Sequence, residues 1–128
     1  MKYEDALAFL FSFVSYEQTS SWKYTDTTFD MTGYRRLLDL LGNPQWSYRS
    51  VHIAGSDGKG SVAAMLASVL RQGGLRVGLY TSPHLHDVRE RITVDQVAIS
   101  KRSLASILTL MKERLDVYGE SRRGFATF

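Results

Sequence analysis

A glycine-rich turn between an apolar run and a strongly patterned helix places the tightest constraint on how this chain folds. The run at 51–54 is typical of a buried strand, and it ends at Gly55, where the turn Gly-Ser-Asp-Gly-Lys-Gly-Ser begins. A helix is predicted directly afterwards, because apolar residues recur on one face: Val62, Met65, Leu66, Val69 and Leu70. Such a strand, turn and helix form an anion cradle, since glycines let backbone N–H groups face an oxyanion and the first helical turn has unpaired donors.

Two side chains in this turn suit phosphate binding. Lys59 stands where a cation meets a β- or γ-phosphate, and Ser61 offers a hydroxyl to phosphate or to Mg²⁺. The turn departs from the standard P-loop pattern, because Ile53 stands at the first glycine position and Gly60 separates the lysine from the serine. The strand–turn–helix context favours nucleotide binding, and the alternative is a glycine-rich turn with a solvated lysine.

Composition narrows the classes of protein to consider. A chain of 128 residues, 44% of them hydrophobic, is the size of one domain with one core, so residues 1–128 are interpreted as a single domain. The formal charge of +3 is dispersed, which argues against a nucleic-acid partner. Cysteine is absent, which excludes disulfides, thiolate zinc sites and cysteine nucleophiles. No stretch is apolar enough to cross a bilayer and no leader pattern is present, so a cytoplasmic location without membrane contact is expected.

Apolar periodicity predicts three further helices. They are 3–17, then 33–41 with Thr32 as N-cap and Gly42-Asn43-Pro44 as stop, and a last helix capped by Ser100 or Ser103. One face of the last helix is apolar: Leu104, Ile107, Leu108, Met111 and Leu115. The polar segment 18–31 shows no period and is interpreted as a long loop.

A second short strand is predicted at 76–80, after Gly73 and Gly74 end the central helix. Two strands joined by a helix form a βαβ unit with parallel neighbours, and ligands lie beyond the carboxyl ends of such strands. The glycine turn and the segment after Tyr80 are therefore expected to meet at one site. A small hairpin is predicted around Asp95 and Gln96. The expected fold class is α/β, a P-loop-type three-layer arrangement with a partial parallel sheet, flanking helices and this hairpin.

The polar segment 82–91 holds further candidates for chemistry. Ser82 follows the second strand and is a candidate Mg²⁺ ligand, because Mg²⁺ prefers hard oxygen donors, and a plain turn serine is the alternative. His84 and His86 form only a weak zinc pattern, since no cysteine or third histidine stands nearby.

The two arginines of this segment have two interpretations. Arg89 and Arg91 suit phosphate or carboxylate groups of a ligand, and ion pairs with Asp87 or Glu90 are the alternative. A hydrolase triad is discarded, because no serine of the chain stands in a nucleophile-elbow context.

Two stretches together resemble the folylpolyglutamate synthase/dihydrofolate synthase family of the Mur-ligase group. Residues 52–61 read His-Ile-Ala-Gly-Ser-Asp-Gly-Lys-Gly-Ser, close to the family form His-Val-Ala-Gly-Thr-Asn-Gly-Lys-Gly-Ser. Residues 80–85 read Tyr-Thr-Ser-Pro-His-Leu and residues 89–92 read Arg-Glu-Arg-Ile, as in the family's second motif. The Lys-Gly-Ser ending that departs from the standard P-loop is itself the family form.

The resemblance implies roles for particular residues. Those of the glycine turn would bind ATP phosphates, with Lys59 also neutralising charge in catalysis: Ser56, Asp57, Gly58, Lys59, Gly60 and Ser61. Ser82 would hold Mg²⁺, and the stretch Asp30-Met31-Thr32 would touch the pterin substrate. Asp57 stands where the family has asparagine, and its carboxylate would repel phosphate unless it points away or lies beside the metal.

The implied reaction is ATP-dependent amide ligation. A carboxylate of folate or dihydropteroate is phosphorylated, and the acyl phosphate is attacked by the amine of glutamate. Family members are much longer, so the chain is expected to be an N-terminal fragment that carries the ATP-phosphate cradle and does not turn over alone. The alternative is a non-catalytic nucleotide-binding or assembly module, self-associating through an unpaired sheet edge.

Overall fold

The computed structural model describes residues 1–15, 32–117 and 126–127. The helices and strands of these residues are α1 (Tyr3–Phe11), β1 (Val14–Ser15), α2 (Thr32–Leu40), α3 (Lys59–Gln72), β2 (Gly78–Tyr80), β3 (Ile92–Val94), β4 (Val97–Ala98), α4 (Lys101–Val117) and β5 (Ala126–Thr127). Contacts divide the chain into two compact units, Met1–Arg49 with Ala105–Phe128, and Ser50–Leu104. The α/β class is confirmed, and the interpretation of 1–128 as one domain stays a prediction. Among the described helices, none is long and apolar enough to cross a membrane.

The first unit has a core that its helices supply. Its buried residues are Ala6, Phe9, Leu10, Phe13, Leu37, Ala105, Leu108 and Leu115. The rings of Phe9 and Phe13 meet edge to face with centroids 5.1 Å apart, a favourable aromatic geometry. The Met1 ammonium donates to Thr109 Oγ1 at 2.9 Å, which ties the start of α1 to α4. Strands β1 and β5 pair in parallel and supply the parallel part of the sheet structure.

Helix α1 is shorter than the predicted 3–17. It ends at Phe11, where the Ser12 Oγ donates to the Phe9 carbonyl at 2.7 Å and the Ser12 N–H binds the same oxygen at 3.2 Å. The buried face continues to Phe13 beyond the helix end, so apolar periodicity alone overestimates the length. The predicted loop 18–31 lies outside the described residues.

The predicted stop of α2 is confirmed. Gly42 and Asn43 take left-handed backbone conformations with φ of 78° and 54°, and Pro44–Ser47 follow as a 3₁₀ turn. The Asn43 N–H donates to the Leu38 carbonyl at 2.8 Å, and its side-chain amide donates to Asp39 Oδ1 at 2.8 Å. The first of these bonds satisfies a backbone carbonyl that the helix end leaves open, and the second joins the stop to a side chain of the helix.

The second unit contains a three-stranded antiparallel sheet in the order β2-β3-β4, and the predicted hairpin β3–β4 is confirmed. The predicted strand at 51–54 is wrong: residues 51–55 form an irregular segment, and Val51 is 68% exposed. Strand β2 instead pairs antiparallel with β3, with Gly78 opposite Val94. The expected parallel βαβ pairing is therefore wrong as well. An apolar run indicates burial, but it does not determine which strand the run pairs with.

The turn of the hairpin has two left-handed residues that are not glycine. Asp95 has φ 51° and Gln96 has φ 69°, the arrangement of a type I′ turn, for which Asn-Gly is the favoured sequence. Asp95 makes two hydrogen bonds to Val77. Its Oδ1 accepts from the Val77 N–H at 2.9 Å, and its N–H donates to the Val77 carbonyl at 2.9 Å. Its carboxylate offsets part of the backbone strain.

Replacing Gln96 by glycine is expected to stabilise the chain by up to about 1 kcal/mol. Relief of left-handed strain, about 1–2 kcal/mol, exceeds the entropy of about 0.4–1 kcal/mol that glycine adds to the unfolded chain. Urea unfolding measures the change. The matched variant Asp95→Gly relieves similar strain but removes the bond to Val77, so its gain should be smaller. A loss of stability in Gln96→Gly would contradict the strain argument.

Candidate functional site

The glycine turn leads directly into helix α3. Gly58 has φ 72° and ψ 0°, a conformation that a side chain disfavours, and Lys59 is the first helical residue. The first helical hydrogen bond runs from the Val62 N–H to the Gly58 carbonyl at 3.0 Å. The N–H groups before it have no partner inside the helix, so the turn and the helix start present donors to an exposed surface. The predicted helix end at Gly73 and Gly74 is confirmed.

The Lys59 ammonium lies against the backbone of the turn. Its Nζ donates to the Gly55 carbonyl at 2.7 Å and to the Ser56 carbonyl at 2.8 Å, although the residue is exposed. An ammonium group has three donors, so two hold the turn and the third can bind an oxyanion. The side chain is thus ordered over the turn, whereas the solvated-lysine alternative needs no such contact.

The other predicted residues of the turn are exposed: Ser56, Asp57, Gly60 and Ser61. Ser82 is also exposed and follows β2 by two residues. Helix α3 contacts β2 and is joined to it by the short connection 73–77. That the glycine turn and Ser82 meet at one end of this unit stays a prediction.

The predicted pterin-binding stretch is only partly described. Asp30 and Met31 lie outside the described residues, and Thr32 is an exposed residue at the start of α2. The structure leaves the role of Thr32 a prediction. Its predicted position at the N-terminal end of this helix agrees with the observed bounds within one residue.

Arg89 forms an ion pair within its own segment. Its Nη2 lies 2.6 Å from Asp87 Oδ2, and its Nε donates to the same oxygen at 2.9 Å. Asp87 Oδ1 also accepts from the Arg89 N–H at 2.9 Å and caps the 3₁₀ turn Val88–Arg91. Of the two interpretations of Arg89, the structure shows the ion pair.

Glu90 binds three consecutive backbone N–H groups. Its Oε2 accepts from Leu85 at 2.8 Å, and its Oε1 accepts from His86 at 3.0 Å and from Asp87 at 2.8 Å. From the sequence, Glu90 is expected only as an ion-pair partner of a neighbouring arginine. The spacing Asp87-x-x-Glu90, typical of a capping box, was the signal for this role.

Arg91 is 3% exposed and binds a histidine. Its Nε donates to His84 Nδ1 at 2.7 Å, so this ring nitrogen is the acceptor and the ring proton of neutral His84 resides on Nε2. The Arg91 carbonyl accepts from the Thr81 N–H at 3.0 Å. Arg91 thus belongs to the framework of the segment, a role that its sequence neighbours did not indicate.

The pH dependence of stability should reveal the Glu90 contacts. Hydrogen bonds from the backbone N–H groups of Leu85 and Asp87 hold the pKa of Glu90 below its usual value of 4.5. Because the folded-state pKa is the lower one, this stabilisation is complete above about pH 4.5 and is lost as pH falls through the folded-state value. The advantage of the unmodified chain over Glu90→Gln in urea unfolding should therefore shrink in acid.

Glu113→Gln is the matched control, because Glu113 is exposed on α4. Its difference from the unmodified chain should not follow the acid dependence of the Glu90 variant. An equal stability gap for Glu90→Gln at neutral pH and in strong acid would contradict the contribution of the carboxylate contacts.

The oxygen donors of the candidate site fit Mg²⁺, which needs few protein ligands. They do not fit a metal whose ligands all come from the protein. The described residues contain no cluster of three or more His, Cys, Asp or Glu side chains. The turn and the end of β2 instead offer the hydroxyls of Ser61 and Ser82. Mg²⁺ commonly takes one or two protein oxygens and completes its shell with phosphate oxygens and waters.

Comparisons with known proteins find similar sequences and solved structures, although no family model matches the chain. A probable bifunctional folylpolyglutamate synthase/dihydropteroate synthase of Haloferax volcanii is 40% identical over 115 residues, covering 90% of this chain and 13% of that protein. The folylpolyglutamate synthase of Lacticaseibacillus casei is 34% identical over 128 residues, covering 98% and 27%. A solved complex of folylpolyglutamate synthase (FPGS) with AMPPCP and folate superposes with a TM-score of 0.78 at 35% identity. The match covers 92% of this chain and 27% of that chain. The chain thus spans about a quarter or less of the length of these proteins.

Proposed function

We propose that this chain, which belongs to the folylpolyglutamate synthase/dihydrofolate synthase family, carries the ATP-phosphate cradle of an ATP-dependent ligase. The proposed ligase adds glutamate to a carboxylate of folate or dihydropteroate. The chain spans only part of its relatives, so turnover would need the regions that they have in addition. The observation that carries the proposal is the Lys59 ammonium, ordered over a glycine turn at the start of α3.

In this reaction, the part of the protein described here would position the ATP phosphates and neutralise their charge. A substrate carboxylate oxygen attacks the γ-phosphorus of ATP and ADP leaves, which gives an acyl phosphate. The amine of glutamate then displaces phosphate and an amide forms. Backbone N–H groups of the turn would fix the phosphates, and Lys59 would neutralise the charge on the transferred group.

Mg²⁺, when bound, would supply further charge neutralisation at the phosphates. The residues of this chain that would hold it are Ser82 and Ser61, whose hydroxyl oxygens suit a hard cation. The carboxylate of Asp57 lies at the surface of the same turn. Its negative charge either opposes phosphate binding or contributes to the metal side of the site.

Calorimetric titration of Mg·AMPPCP into the 128-residue chain tests the proposal. AMPPCP is the ATP analogue named in the solved complex, and it resists cleavage between the β- and γ-phosphates. We expect one site per chain. A chain that circular dichroism shows to be folded, but that gives no binding heat at several temperatures, would overturn the proposed cradle.

An assembly role is the second candidate, because α3 buries none of its residues. Val62, Met65 and Val69 follow one another at helical spacing and are 47%, 61% and 67% exposed. An exposed apolar stripe of this kind marks a contact surface, either for a second copy of the chain or for the regions that the longer relatives have in addition. Light scattering tests this role, and a stable monomer at high concentration would argue against it.

A further inference from the structure

We propose that Glu90 and Arg91 are positioning residues, which hold the chain on both sides of Ser82 and so orient its hydroxyl for Mg·ATP. The inference rests on the proposed function, because it concerns the same nucleotide site. Neither residue needs to touch the nucleotide. Each acts through the shape of the segment that begins at Thr81.

Arg91 binds the residues that flank Ser82-Pro83. Its carbonyl accepts from the Thr81 N–H at 3.0 Å, on one side of the serine. Its Nε donates to His84 Nδ1 at 2.7 Å, on the other side. Since Arg91 is 3% exposed, its side chain is fixed by packing and both contacts start from a rigid point. The position of Ser82 is thereby restricted at each end of a four-residue stretch.

Glu90 fixes the stretch that follows. The side chains of Leu85 and His86 are largely exposed and contribute little packing there. The backbone at 85–87 is held instead by the three N–H groups that bind the Glu90 carboxylate. Hydrogen bonds to an ionised group are stronger than neutral ones, so this carboxylate is a strong polar restraint on the backbone of 85–87.

The restraints matter for a metal site because Mg²⁺ demands near-ideal octahedral geometry. A hydroxyl on an exposed turn has many orientations, and ordering it on binding lowers affinity. A segment fixed in advance avoids this loss. Loss of a group bonded directly to a metal ligand commonly lowers metal affinity about 10- to 100-fold. Glu90 and Arg91 bind the neighbours of Ser82 and not Ser82 itself, so we expect an effect at the lower end of this range.

The test compares AMPPCP affinity in MgCl₂ with AMPPCP affinity in EDTA, for the unmodified 128-residue chain and for Glu90→Gln. The glutamine keeps the shape of the side chain, but its NH₂ group cannot accept a hydrogen bond. We expect the ratio of the two affinities to fall about tenfold in Glu90→Gln. Amide hydrogen exchange at 81–87 should also become faster, and the exposed Glu113→Gln should change neither quantity.

The outcomes separate the two proposals. An unchanged Mg²⁺ ratio in a folded Glu90→Gln chain that still binds AMPPCP overturns the positioning role alone. Failure of the unmodified chain to bind AMPPCP overturns the proposed function and this inference with it. Arg91→Lys is a second variant, since it keeps the charge but loses the guanidinium Nε that binds His84. A full Mg²⁺ ratio in a folded Arg91→Lys chain would likewise overturn the role of Arg91.

Discussion

Replacing Lys59 by alanine is expected to weaken binding of Mg·AMPPCP by about 10- to 100-fold. A hydrogen bond to a charged group contributes about 1.5–3 kcal/mol, and about 1.4 kcal/mol corresponds to a tenfold change in affinity. The substitution also removes the two bonds by which the ammonium holds the Gly55 and Ser56 carbonyls, so the turn itself becomes less ordered. Calorimetric titration of both chains under identical salt measures the change.

Lys112→Ala is the control for charge. Lys112 lies on α4, pairs with Asp116, and belongs to the other compact unit. Its removal lowers the net charge by the same amount, so it reports any effect of overall charge on an anionic ligand. Equal affinities for Lys59→Ala and the unmodified chain would mean that the ammonium does not contact phosphate, and would overturn the role proposed for Lys59.

Replacing Leu108 by alanine is expected to lower the free energy of unfolding by about 2–5 kcal/mol. Leu108 is 3% exposed in the core of the first unit. Shortening a buried leucine loses transfer free energy and leaves a cavity that the neighbours fill only in part. A domain is stable by about 5–15 kcal/mol, so urea unfolding should show a large shift of the midpoint.

Ile107→Ala supplies the contrast one position away. Sequence periodicity placed Ile107 on the same apolar face, but in the structure it is 49% exposed. We expect a change of less than about 1 kcal/mol, because little buried surface is lost and alanine favours the helix. Similar losses for the two variants would show that the face of α4 is covered differently from the arrangement described.

Helices and turns were the predictable part of this fold. The α3 pattern, the Gly42-Asn43 stop and the Ser100 cap all depend on contacts within a few residues, and Ser100 Oγ indeed accepts from the Ser103 N–H at 3.0 Å. Strand pairing was less predictable. The run at 51–54 has the composition of a buried strand, but whether it pairs depends on other segments, and β2 pairs with β3 instead.

The residues of the candidate site also divide into those whose roles the sequence predicts and those whose roles it does not. The glycine turn was predictable because Gly58, with its positive φ, and Lys59, at the start of a helix, act within one local motif. The roles of Glu90 and Arg91 were not predictable from the sequence. The charge of Arg91 suited a ligand or an ion pair equally well, and Glu90 was expected only as an ion-pair partner. What decides between them is burial and hydrogen-bond direction, and neither of these is visible in a single sequence.

The contacts described around Ser82 are local in sequence. They join residues within 81–91: Arg91 reaches back to Thr81 and His84, and Glu90 to 85–87. Closing a loop of about ten residues has a small entropic cost. The segment therefore carries these restraints on Ser82 within itself, whatever the length of the polypeptide around it.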